Sequence, residues 1–138
     1  MKWKKLIIIG DSNTQFGFSD ESRWVSLLSN YLQRKCDVVN RGFSGYNSDH
    51  LKLILPQILD EFDDESTCGI ILMIGTNDST NSTNIPQHVP LERYKANLGQ
   101  IIDFLINFCK KREKIILISP GRIYESKWNE VTSAKNEQ

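Results

Sequence analysis

The sequence has no excess of either charge, since 17 Lys and Arg balance 17 Asp and Glu. That balance removes the net field that would draw nucleic acid or an acidic membrane surface. Basic residues are scattered, and the one short run, Lys110 to Arg112, reads as the solvated end of a helix. Cysteine is scarce. Cys36, Cys68 and Cys109 are odd in number and lack CxxC spacing, which argues against a disulfide framework or a zinc site and for reduced, buried thiols. Long apolar runs are missing too. The N-terminal one, Leu6 to Ile9, stops at Gly10, too short for the apolar core of a signal peptide or for a membrane span. These absences point to a soluble cytoplasmic protein with no membrane insertion. At 138 residues the chain is expected to form one domain, 1–138, small for a sheet covered on both faces.

What is present is a hydrophobic pattern that keeps changing period. Leu6 to Ile9 is a continuous run, as in a strand buried on both faces. Trp24, Val25, Leu27, Leu28, Tyr31 and Leu32 then follow helical spacing, and "CDVVN" reads as a second strand. Leu51, Ile54, Leu55, Ile58 and Leu59 share a helical face. Pro56 inside that stretch predicts a kink or two short helices. "GIILMIG" is a third buried strand, and Pro90 opens a long helix with Tyr94, Leu98, Ile101, Ile102, Leu105 and Cys109 on its buried face. "KIILIS" is a fourth strand, stopped by Pro120. Alternating strands and helices argue for an α/β fold, a parallel sheet with helices on both faces.

In such sheets ligands bind outside the carboxyl ends of the strands. That rule gathers "GDSNTQFGF", "NRGFSGYNSDH" and "GTNDSTNST" at one edge, all rich in Gly, Ser, Asn and Asp. The first loop has neither GxGxxG nor a GK[ST] ending, so phosphate-cradle readings fail on spacing. Thr14 stands where the hydrolase elbow GxSxG needs its second glycine. A phospho-receiver reading of Asp11 lacks its lysine, because Lys114 begins the last strand instead of ending it. Nucleophilic acyl transfer fits better. Ser12 would project into the cleft at a helix start, Gly45 would let a backbone N–H approach, and Asn77 would supply a side-chain amide donor. The simpler alternatives are a Ser12 helix cap, a left-handed turn at Gly45, and a cap and turn at Asn77–Asp78.

"GDSNTQFG", "NRGFSGYNSDH" and "GTNDS", in this order, resemble the first three blocks of the GDSL-type, or SGNH, hydrolases. The run to "ILISP", with "QHVPLERYKANL", is similar to the isoamyl acetate-hydrolysing esterase group of that superfamily. The resemblance implies a three-layer, flavodoxin-like α/β/α fold with strand order 2-1-3-4. It implies that Ser12 is the nucleophile, that Gly45 and Asn77 join the Ser12 N–H in an oxyanion hole, and that Asp11 shapes the loop. The implied reaction is hydrolysis of short-chain carboxylic esters through an acyl-enzyme, with no metal and no cofactor.

The sequence departs from this family near its end. The later DxxH block, which supplies the acid and the general-base histidine after a fifth strand, is absent from these 138 residues. After Pro120 comes the polar stretch "GRIYESKWNEVTSAKNEQ", so 121–138 is expected to be irregular and the domain incomplete at this end. Only His50 and His88 exist, and neither matches the family's base. The expectation is an impaired ester hydrolase whose fourth strand is an exposed edge, open to self-association. The alternative is a non-catalytic ligand-binding or interaction protein that keeps the cleft.

Overall fold

A computed structural model of the chain describes residues 2–80, 86–122, 124 and 126. Strands β1 (Lys5–Gly10), β2 (Asp37–Gly42), β3 (Thr67–Met73) and β4 (Ile115–Ile118) form one parallel sheet in the order β2-β1-β3-β4. This is the expected order. The helices are α1 (Ser12–Gln15), α2 (Trp24–Tyr31), α3 (Ser48–Leu59) and α4 (Leu91–Cys109), with a short 3-10 turn at Phe16–Phe18.

Side chains alternate across a strand, so the apolar run of β1 divides between two cores. Ile7 and Ile9, with Ile70 and Leu72 of β3, pack against Leu51, Leu55 and Ile58 of α3 and Ile101 and Leu105 of α4. Leu6, Ile8 and Ile71 face the other way, against Val25 of α2, with Trp24, Leu28 and Leu32 around them. Leu27 and Tyr31, which share the helical spacing, are exposed instead, because one eight-residue helix can turn only part of its surface to the sheet.

Two expectations are corrected. Pro56 does not divide its helix in two, since α3 runs unbroken from Ser48 to Leu59. The proline is exposed, while Leu55, Ile58 and Leu59 around it are buried; their packing outweighs the lost N–H bond. The thiols are not all buried either. Cys109 is buried, Cys36 half-buried and Cys68 exposed, the last because it is the extra residue of a bulge where Lys5 pairs Thr67 and Leu6 pairs Gly69.

β4 is the outer strand among the described residues, and its Ile116 and Leu117 are 54% and 46% exposed. Among the described residues no helix is long and apolar enough to cross a membrane. The irregular tail expected at 121–138 lies almost wholly outside the described residues.

Candidate active site

The carboxyl ends of β1, β2 and β3 carry the Gly- and Asn-rich loops, and hydrogen bonds tie those loops together. Between the first two loops, Phe43 N–H donates to the Gly10 carbonyl at 2.8 Å and Ser44 N–H to Gln15 Oε1 at 2.6 Å. Asn13 Nδ2 reaches Thr76 Oγ1 at 3.2 Å, joining the first loop to the third. Asn77 Nδ2 donates to the Tyr46 carbonyl at 2.7 Å, joining the third to the second. Close approach is built in. A Cβ on Gly42 would lie 2.0 Å from the Gln15 nitrogen, and Asn40 Nδ2 holds the Thr14 carbonyl at 2.7 Å, so α1 sits directly on the end of β2.

Asp11, not Ser12, is the N-cap of α1. Its Oδ1 accepts the Asn13 N–H at 2.9 Å and the Asn13 side-chain amide at 3.2 Å. Ser12 is therefore the first helical residue, half-buried, with its hydroxyl not needed for capping and its N–H among those an α-helix leaves unused. The simplest alternative for Ser12 is thus already filled by its neighbour. Asp11 is 1% exposed, and its Oδ2 has no hydrogen-bond partner. Burial pushes its carboxyl above the usual 3.8, against the Asn13 hydrogen bonds that hold it down.

Gly45 has φ +81, the left-handed region that favours glycine, and a Cβ there would lie 3.3 Å from Gln87 Nε2. Asn77 offers two N–H donors on one nitrogen, and its bond to Tyr46 uses one of them. Ser12, Gly45 and Asn77 thus stand on three loops that are bonded to one another.

Sequence reasoning gave Asp78 only a cap or turn beside Asn77 and missed its bonds to Ser48, which make it the most connected side chain of the third loop. It is 3% exposed, and its two carboxylate oxygens lie 3.0 and 3.1 Å from the Ser48 nitrogen at the start of α3. The Ser48 hydroxyl donates to it as well. Asn97 of α4 donates to Ser48 Oγ at 3.0 Å and to Asp49 Oδ1 at 2.7 Å, and accepts from Lys52 Nζ at 2.7 Å. The available signal was Asn97, a polar residue within an otherwise apolar helix face.

Both histidines make local hydrogen bonds through Nδ1. His50 is the N3 residue of α3, and its Nδ1 accepts the Asn47 N–H at 3.3 Å in a reciprocal cap. His88 Nδ1 donates to the Thr80 carbonyl at 2.6 Å, which leaves the lone pair on Nε2. It lines a cavity of about 220 Å³ with Asp78, Val89, Leu91, Tyr94 and Pro120. Burial, and then the Asp78 carboxylate, push the Tyr94 hydroxyl up. Among the described residues no group of three or more His, Cys, Asp and Glu could hold a metal ion.

A four-stranded parallel sheet in the order 2-1-3-4, with helices on both faces, is the α/β architecture of the SGNH hydrolases. The chain belongs to the GDSL-like lipase/acylhydrolase family, whose model matches residues 8–138. It is 42% identical over 128 residues to the "Isoamyl acetate-hydrolyzing esterase 1 homolog" of Mus musculus, covering 91% of this chain and 51% of that protein. The "Isoamyl acetate-hydrolyzing esterase" of Saccharomyces cerevisiae is 30% identical over 141 residues, covering 96% and 56%. Among solved structures, a catalytic mutant of Axe2, an acetylxylan esterase from Geobacillus stearothermophilus, superimposes with TM-score 0.62 at 27% identity, over 85% of this chain and 60% of that one. The chain spans about half the length of the curated relatives it matches.

Proposed function

We propose that this chain carries the nucleophile half of a serine ester-hydrolase site acting on short-chain carboxylic esters. Ser12 Oγ attacks the ester carbonyl, the alcohol leaves with a proton, and water then releases the carboxylic acid from acyl-Ser12. The Ser12 and Gly45 N–H groups and the Asn77 amide receive the negative charge that develops on the carbonyl oxygen. No cofactor enters this chemistry. The observation that carries the reading is Asp11 capping α1, which leaves the Ser12 hydroxyl unneeded for capping on a segment that is hydrogen-bonded to the loops bearing Gly45 and Asn77. The named activities of the relatives support it by family membership.

The base is the weak part of the site. A serine hydroxyl is a poor nucleophile near neutral pH unless a base takes its proton. These 138 residues contain no DxxH, and His50 is engaged in a helix cap. By analogy with serine proteases, an oxyanion hole without the triad leaves roughly 10³ to 10⁴ over water, while loss of the histidine costs on the order of 10⁶ in kcat. These 138 residues assayed alone are therefore expected to turn over slowly. The missing motif also favours a second reading, a ligand-binding or interaction protein that keeps the cleft. Three unbridged cysteines suit a reducing, cytoplasmic setting for either.

The test is kcat/KM for p-nitrophenyl acetate and isoamyl acetate between about pH 5 and 9, with Ser12→Ala as the blank. The reading expects slow turnover with no inflection near the ordinary histidine pKa of about 6.5. Brisk turnover that titrates there and is lost in Ser12→Ala would restore a working base, and His88→Ala and His50→Ala would identify it.

A further inference from the structure

We infer that Asp78 is a positioning residue for the oxyanion hole, holding the Gly45 N–H and the Asn77 amide in register by clamping residues 45–48 to the third loop. The inference rests on the proposed roles of Ser12, Gly45 and Asn77. Two parallel ties carry it. Asn77 donates to the Tyr46 carbonyl at 2.7 Å, and the next residue, Asp78, receives the Ser48 N–H at 3.0 and 3.1 Å together with the Ser48 hydroxyl. Neighbours in one loop thus grip residues two apart in the other. Gly45 immediately precedes the gripped segment.

An ordinary helix cap does not account for this arrangement. The cap of α3 is already made by Asn47, whose Oδ1 accepts the His50 N–H at 3.0 Å. Asp78 comes from a different loop and takes a further N–H of the same helix start. A carboxylate this deeply buried is costly unless its oxygens are hydrogen-bonded, and a helix N-terminus favours its charge. The network is braced from outside by Asn97, which holds Ser48 Oγ at 3.0 Å. The Asp78 carbonyl also accepts the Val89 N–H at 3.1 Å, so the segment leading to α4 is fixed to the same point.

The role can be separated from simple stability by a double-mutant cycle. The rate of Ser12 modification by a fluorophosphonate, in which Ser12 Oγ bonds to phosphorus and fluoride leaves, would be measured in the wild-type chain, Asp78→Asn, Asp78→Ala, Asn77→Ala and the Asp78→Ala/Asn77→Ala double variant. Removing an oxyanion donor costs on the order of 10² to 10³ in rate, so Asn77→Ala is expected near that loss and Asp78→Ala at roughly 10-fold or more. Asp78→Asn, which keeps one acceptor oxygen for the Ser48 N–H, should recover much of the rate. The double variant should lose less than the product of the two single losses, because one of the two donors through which Asp78 acts is already gone. Independent, multiplying losses would overturn the inference.

A second measurement does not depend on that reaction. In Asp78→Ala the Gly45 backbone amide should exchange with solvent faster and the Asn77 side-chain amide resonance should move, while the amides of β1 stay protected. An unchanged Gly45 and Asn77 would overturn the inference. Wild-type chain that is never modified at Ser12, but shows these changes, would leave the clamp standing and remove the proposed role of Ser12.

Discussion

The Asn77 side-chain amide lies 2.7 Å from the Tyr46 carbonyl, so the loop after β3 is pinned to the loop after β2 one residue beyond Gly45. That contact ties the side chain that supplies one proposed donor to the backbone beside another. Its consequences can be measured.

Gly45→Ala should damage the site and, less strongly, the fold. The residue holds φ +81, where an L side chain costs about 1 to 2 kcal/mol, and the new Cβ would press toward Gln87 Nε2 at 3.3 Å. Urea denaturation should show a loss of that size, with Ser12 acylation slowed by a larger factor than stability explains. An unaltered acylation rate would remove Gly45 from the oxyanion hole.

Pro56→Ala should stabilise the chain. The proline sits exposed inside a continuous helix, where it is roughly 3 kcal/mol less favourable than alanine, and no core contact depends on it. We expect a gain of about 1 to 3 kcal/mol and a higher Tm. A loss of stability would mean that the helix is not continuous in solution.

The same residue shows what the sequence could and could not reveal. The runs Leu6–Ile9 and Gly69–Gly75 announce buried strands, because only a sheet covered on both faces needs such continuous apolar stretches. Pro56 misleads, since local propensity is outweighed by the burial of Leu55, Ile58 and Leu59. Ser12, Gly45 and Asn77 are legible as loop residues at strand ends. The bond from Ser48 to Asp78 is not, because those residues lie 30 apart and meet only once α3 is packed against the end of β3. Nor did the pattern show that Asp11 and not Ser12 would cap α1. Both types cap well, and the choice is made by where β1 stops.

Asp11 should give the chain a particular pH dependence. Burial raises its folded-state pKa above 3.8, so its contribution to stability is fully present below 3.8 and is lost as pH rises through the raised value. Asp11→Asn cannot ionise and keeps an oxygen for the Asn13 N–H. Wild type should therefore lose stability relative to Asp11→Asn as pH climbs above 3.8 and through the raised value, then level off. Urea midpoints that stay a constant distance apart across that range would contradict this.

The outer strand should promote association of the 138-residue chain. β4 presents Ile116 and Leu117 at 54% and 46% exposure, and unpaired apolar edges recruit other strands. Sedimentation at rising concentration should reveal oligomers, and Ile116→Lys with Leu117→Lys should reduce them. A sharply monomeric wild type at high concentration would count against the edge as a contact surface.

Ser12 is proposed as a nucleophile for which these 138 residues alone offer no matching base, and chemical rescue measures both halves of that statement. The chain and Ser12→Ala would be incubated with a fluorophosphonate, with and without imidazole as an external base, and the site of any adduct located by mass spectrometry. The expected result is a slow adduct on Ser12, accelerated by imidazole and absent in Ser12→Ala. Ser12 that stays unmodified even with imidazole would not be a nucleophile, and Ser12 that reacts rapidly without it would have a base among these 138 residues.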